Sequence, residues 1–79
     1  MQLALSRNVL RSISLQADGD ARIFAEKSPG RGPTAKDLDY FWDLSGRDIV
    51  RAYKLKRAQA LEARTRYQAI FLATLRQGA

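Results

Sequence analysis

Ile13-Ser14-Leu15-Gln16-Ala17-Asp18-Gly19-Asp20-Ala21-Arg22-Ile23-Phe24-Ala25 is the stretch on which the fold class turns. Ile13, Leu15 and Ala17 alternate with Ser12, Ser14 and Gln16, and Ala21, Ile23 and Ala25 alternate with Arg22, Phe24 and Glu26. Alternation with period two sends successive side chains to opposite faces of a strand. Asp18-Gly19-Asp20 between the two runs is strong turn chemistry. Register sets the loop length. A two-residue loop pairs Ala17 with Asp20 and sets Leu15 against Arg22. A three-residue loop pairs Ala17 with Ala21, Leu15 with Ile23 and Ile13 with Ala25, which gives one apolar face. The pattern predicts a β-hairpin within residues 1–27. A competing reading makes residues 3–14 a helix, with Leu3, Leu10 and Ile13, or Leu5, Val9 and Ile13, on one side.

Downstream, Ser28-Pro29-Gly30-Arg31-Gly32-Pro33 places two prolines and two glycines in six residues, which neither a helix interior nor a central strand accepts. It separates the hairpin part from a helical part, 34–79. Thr34 with Asp37 three residues on is a capping-box pattern, and Leu38, Phe41 and Trp42 follow as one buried stripe. A second start is read at Ser45, with Asp48 as its reciprocal partner and Leu44 and Ile49 as a hydrophobic staple. From Gly46 to Arg76 there is no proline and good helix formers dominate, so one long helix is predicted, stopped by Gly78. Ile49, Tyr53, Ala60, Ala63, Tyr67, Ile70 and Phe71 gather on its apolar side. The predicted fold is therefore α+β in one domain over 1–79: a small N-terminal hairpin, a short helix and a long basic C-terminal helix, with an all-α fold as the alternative.

Such a helix would be roughly 45 Å long, whereas a globule of this chain would be roughly 30 Å across. It must break, project or pair with a second copy. Pairing would also support a two-stranded sheet that is marginal alone, so a homodimer is expected. Seventy-nine residues bury a thin core. The chain holds no cysteine and no histidine, which removes disulfides, thiolate zinc sites and the commonest general base. Absence of cysteine fits a cytoplasmic protein. No apolar run approaches the roughly 18 residues of a membrane span. The first 17 residues carry arginines and serines without an acid, a transit-peptide composition, but an ordinary N-terminal strand or helix is the better reading of them.

No chemistry-bearing motif emerges. The serines lack an activating base, and Gly30 and Gly32 lack the Gly-Lys-Ser end of a phosphate loop. Asp18 and Asp20 lack the spacing of a calcium loop. Asp39 and Asp43, four apart, are a weak pair for a divalent ion and read better as solvated carboxylates. The chain is expected to be a non-enzymatic binding protein with no cofactor, no metal site and no catalytic residue.

Charge placement is the most informative feature. Residues 1–44 hold six cations and six acids, which cancel. Residues 45–79 hold eight cations and two acids, which is the whole net charge of +6. Arg51, Lys54, Lys56 and Arg57 fall within seven residues, with Arg47 a turn earlier and Arg64 and Arg66 two turns later. These seven are the predicted partner-binding residues. They suit a helix laid along a polyanion, a nucleic acid or nucleoprotein complex, provided residues 46–76 form a continuous rod and present their cations to solvent. An acidic protein surface is the second class of partner. The alternative function is a protein–protein inhibitor or adaptor of the kind carried by phages and mobile elements, acting on a larger host complex. Tyr53, Tyr67 and Phe71 stand on the apolar side and are expected in the core.

Overall fold

The structure, a computed structural model, describes residues 4–78. Helix α1 spans Arg7–Lys27. Ser6 caps it, its hydroxyl accepting the backbone N–H of Val9 at 3.2 Å, which answers one of the donors left open at a helix start. Helical spacing governs this stretch, not alternation. Val9, Ile13, Ala17, Ala21 and Phe24, spaced by four, four, four and three, are all buried. Leu15 and Ile23, which a hairpin would have placed on the core face, are 71% and 44% exposed. The predicted β-hairpin is overturned: among the described residues there is no strand, and the fold is all-α. Gly19 lies inside α1, at a cost of about 1 kcal/mol against alanine. Burial of Val9, Ile13 and Phe24, at about 1.5–3 kcal/mol each, outweighs it. The competing helix at the N-terminus was the better reading, though too short; its Leu3 lies outside the described residues.

After the Ser28–Pro33 linker the chain reverses. Helix α2 spans Ala35–Phe41, a π-helical turn spans Trp42–Gly46, and helix α3 spans Arg47–Ala52; together they make one irregular rod. The capping box predicted at Thr34 is present. The Thr34 backbone N–H donates to Asp37 at 2.8 Å, and the Asp37 N–H donates to the Thr34 hydroxyl at 3.2 Å. The start predicted at Ser45 is overturned: Ser45 lies within the π turn, and Leu44, the assigned half of the staple, is exposed.

The continuous helix over 46–76 is also overturned. The rod ends at Ala52, Lys54 takes a left-handed backbone with φ of 50°, and helix α4 runs Arg57–Arg76. Gln59 holds the new start, its side-chain oxygen accepting the Lys56 backbone N–H at 3.0 Å. A left-handed non-glycine residue costs about 1–3 kcal/mol. Folding back leaves Ala63, Tyr67 and Phe71 with no exposed surface. At about 1.5–3 kcal/mol per large apolar side chain, burial prevails over the straight rod.

The three segments run up, down and up, so α1 and α4 are parallel. Near one end, Ser12 of α1 shares a 2.8 Å hydrogen bond with Tyr53 at the corner. Further along, Phe24, Phe41 and Phe71 meet with ring centroids 5.3–6.3 Å apart. At the far end the Gly30–Pro33 loop lies against Leu72, Leu75 and Arg76. Trp42 packs edge-on to Tyr67 at 5.4 Å. The body measures 42 × 20 × 19 Å. Its core closes within one chain, so neither the projecting rod nor the bare hairpin that argued for a homodimer exists. No helix of the described residues is long and apolar enough to cross a membrane.

Candidate functional site

The corner at Tyr53–Lys56 gathers charge that is dispersed in the sequence. Arg47 and Arg51 lie on α3, Lys54 and Lys56 in the corner, and Arg57 at the start of α4. All five are exposed and make no ion pair among the described residues. The Ser12–Tyr53 bond sets the first turns of α1 beside this corner. Arg7 and Arg11, exposed and likewise in no ion pair, therefore belong to the same half of the bundle. Seven cations share this half with two acids, Asp48 and the Arg66-bound Glu62 on the second turn of α4. The excess of positive charge therefore lies toward this end of the molecule.

Backbone dipoles add to it. α1 and α4 are parallel and both begin at this end, and neither has an acid in its first turn. Each helix start is equivalent to roughly half a positive charge. Arg7 and Arg57 oppose their own helix dipoles, at about 0.3–1 kcal/mol each when exposed. Their placement does not stabilise the helices that carry them.

The remaining two predicted residues separate from this group. Arg64 donates to Asp39 at 2.6 Å, and Arg66 donates to Glu62 at 2.9 Å. Both charges are already answered by acids, one from α2 and one from the same helix. Arg7 and Arg11 were missed because their sequence half is neutral. The length of α1 itself separates them from Asp18, Asp20 and Glu26 further along it.

The aromatic residues divide too. Tyr67 and Phe71 are core residues with no exposure, as expected, whereas Tyr53 is 40% exposed at the centre of the cationic end. Next to it, Leu15, Ile49 and Ala52 line an open groove between α1 and α3, with Ser12, Gln16 and Asp48 as its polar members.

The acids singled out in the sequence are engaged elsewhere. Asp18 accepts from Arg22 at 3.0 Å and from the Thr74 hydroxyl at 3.1 Å, and these bonds, Arg22 first, hold its carboxyl below the usual range. Asp39 accepts from Arg64 and from Gln68 at 3.3 Å. No metal-holding cluster of three acids occurs among the described residues. Asp20, 5% exposed, accepts from Gln16 at 3.1 Å and from the Tyr67 hydroxyl. Burial, then the hydrogen bond to Asp20 and its charge, pushes the Tyr67 phenol well above its ordinary range; a Ser45 contact opposes this weakly. The network ties α1, α4 and the π turn together. Asp20 and Tyr67 are buried, while Gln16 is exposed and opens onto the groove beside Tyr53.

Compared with known proteins, the chain matches no family model, no curated protein and no solved structure.

Proposed function

We propose that this chain is a non-enzymatic binding protein that docks its cationic end on a polyanion, a nucleic acid or nucleoprotein complex. The basic segment is not one straight rod, because it is broken at Tyr53–Lys56. What supports the reading is that seven exposed cations and two helix starts share one end with only two acids, Asp48 and Glu62. A solvated charged surface needs no such segregation, since mixed charge serves solubility as well. Concentration at one pole gives phosphates a convergent field.

The test is binding of a fluorescent oligonucleotide across a salt series. With about six phosphates neutralised, affinity falls by about three decades between 50 and 200 mM salt. A flat response refutes the reading. Joint substitution Arg51→Ala and Lys54→Ala should lower the slope of log affinity against log salt by about 1.8. Joint substitution Arg64→Ala and Arg66→Ala, which removes cations already paired, should change it less. Equal effects of the two pairs would show that the cationic end is not the contact surface.

A second reading, a protein–protein inhibitor or adaptor, is favoured by Tyr40 and Leu44, which are 60% and 59% exposed next to one another on the second rod. A pull-down repeated after nuclease digestion tests it: a stoichiometric protein partner, or a second copy of this chain, must persist.

A further inference from the structure

We infer that the groove beside Tyr53 takes an unpaired base, so that the cationic end binds single strands in preference to duplex. This deepens the proposed function and rests on it. Three observations carry it. First, Tyr53 is an aromatic ring 40% open to solvent in the middle of the charge cluster, and base stacking on an exposed aromatic side chain inside a basic surface is the usual basis of single-strand binding. Second, the ring is held: its hydroxyl is fixed to Ser12 at 2.8 Å, which ties the corner to α1 and reduces the entropy lost when a base settles on it. Third, the ring borders a groove of about 460 Å³ whose apolar members are Leu15, Ile49 and Ala52. Leu15, at 71% exposure, is the most exposed large hydrophobic residue described. A base stacked on Tyr53 would cover it.

Charge complementarity selects this occupant over an uncharged one. Arg51 and Lys54 flank Tyr53 in the chain, Arg11 precedes Ser12, and none is in an ion pair among the described residues. A strand whose base enters the groove must bring its phosphates past them. A duplex cannot do this, because its bases are stacked and paired inside.

Polar groups in the groove define the base further. One N–H of the Gln16 amide is used on Asp20, which leaves one donor, the second Gln16 N–H, beside two acceptor groups, the Gln16 carbonyl and the Asp48 carboxylate. Acceptors suit a base with an exocyclic amino group, such as cytosine, over thymine, which presents a carbonyl there. Asp48 is an acid of the cationic end that makes no ion pair among the described residues. As a contact for an amino group it has a role.

The experiment measures binding of fluorescently labelled twelve-residue oligo-dC, oligo-dT and a mixed-sequence duplex of equal length to the full chain at fixed salt. Expected is tighter binding of oligo-dC than of oligo-dT, and of both than of duplex. Tyr53→Ala should weaken single-strand binding by about 5- to 150-fold, the range seen when a stacking aromatic is truncated, and leave duplex binding nearly unchanged. Tyr53→Phe, which keeps the ring and loses only the Ser12 bond, should retain most of the affinity; circular dichroism checks that each variant is folded. Equal affinity for single strand and duplex, or equal loss on both in Tyr53→Ala, overturns the inference while leaving the proposed function standing. Equal binding of oligo-dC and oligo-dT overturns the assigned role of Asp48. Failure to bind any of the three removes the proposed function itself.

Discussion

Substituting Gly46→Ala sets two physical effects against each other. In a helical segment alanine is favoured over glycine by about 1 kcal/mol, so on propensity alone the variant should be more stable. The structure points the other way. A Cβ at Gly46 would fall inside the indole ring of Trp42, far within contact distance. Trp42 is only 8% exposed and stacks edge-on to Tyr67 at 5.4 Å, so the ring has no free direction in which to withdraw. Overpacking a closed core costs about 1–3 kcal/mol, and a rigid bicyclic ring belongs at the upper end. Subtracting the propensity gain leaves a net loss of about 2 kcal/mol. For a domain of this size that lowers Tm by about 8–16 °C. Thermal unfolding followed by circular dichroism reads the loss. Emission from Trp42, the only tryptophan in the chain, should shift to longer wavelength as the ring is forced toward water. An unchanged or raised Tm with unshifted emission would show that the contact at Gly46 does not constrain the fold.

Two further outcomes concern stability. Tyr67→Phe removes the hydroxyl that donates to buried Asp20 and should cost about 1–3 kcal/mol, read as a lower urea midpoint at constant slope. Because folding raises the Tyr67 pKa, wild-type stability should decline as pH rises above about 10, and this alkaline loss should be smaller in Tyr67→Phe; identical alkaline limbs would refute the assignment. Asp37 is held below the usual carboxylate range, first by the Thr34 backbone N–H and also by the Thr34 hydroxyl and Arg31. Its contribution is complete above the unfolded value near 3.8 and is lost as pH falls through the folded one. Asp37→Asn should lower Tm at neutral pH and flatten the acid limb, and parallel Tm–pH curves for the two proteins would exclude it.

The helical half was legible where the signals were local. Thr34 and Asp37 are three residues apart and cap the same turn they predict. The Leu38, Phe41 and Trp42 stripe does face the core. The N-terminal half was misread because one set of residues satisfies two periods. Ile13, Ala17 and Ala21 fit both alternation and a helical face, and Asp18-Gly19-Asp20 tipped the choice toward a turn. What decides for the helix is distant in sequence: Asp20 is buried to meet Tyr67, and Asp18 reaches Thr74. No window around residue 20 contains that information. The break at Tyr53–Lys56 was similarly silent, since neither proline nor glycine marks it. Only the length argument, a rod longer than its body, pointed to a break. Of the seven residues assigned to binding, five stand together. Arg64 and Arg66 stand apart from them, each paired with an acid: Asp39 comes from another helix, and Glu62 is one turn away. Arg7 and Arg11 were hidden by counting charge along the chain instead of along the bundle.

An odd number of segments leaves the described chain entering at one pole and leaving at the other. Arg7 stands at the cationic end, and Arg76 lies beside the Gly30–Pro33 loop at the opposite one, on a body 42 Å long. Anything attached after residue 78, such as a sensor surface, a dye or a fused carrier, is held a full molecular length from the charge cluster and leaves it open. The same attachment placed ahead of residue 4 would sit against it. A fusion made at each terminus in turn therefore works as a molecular ruler: obstruction by the one ahead of residue 4 and not by the one after residue 78 locates the contact surface without altering a single side chain.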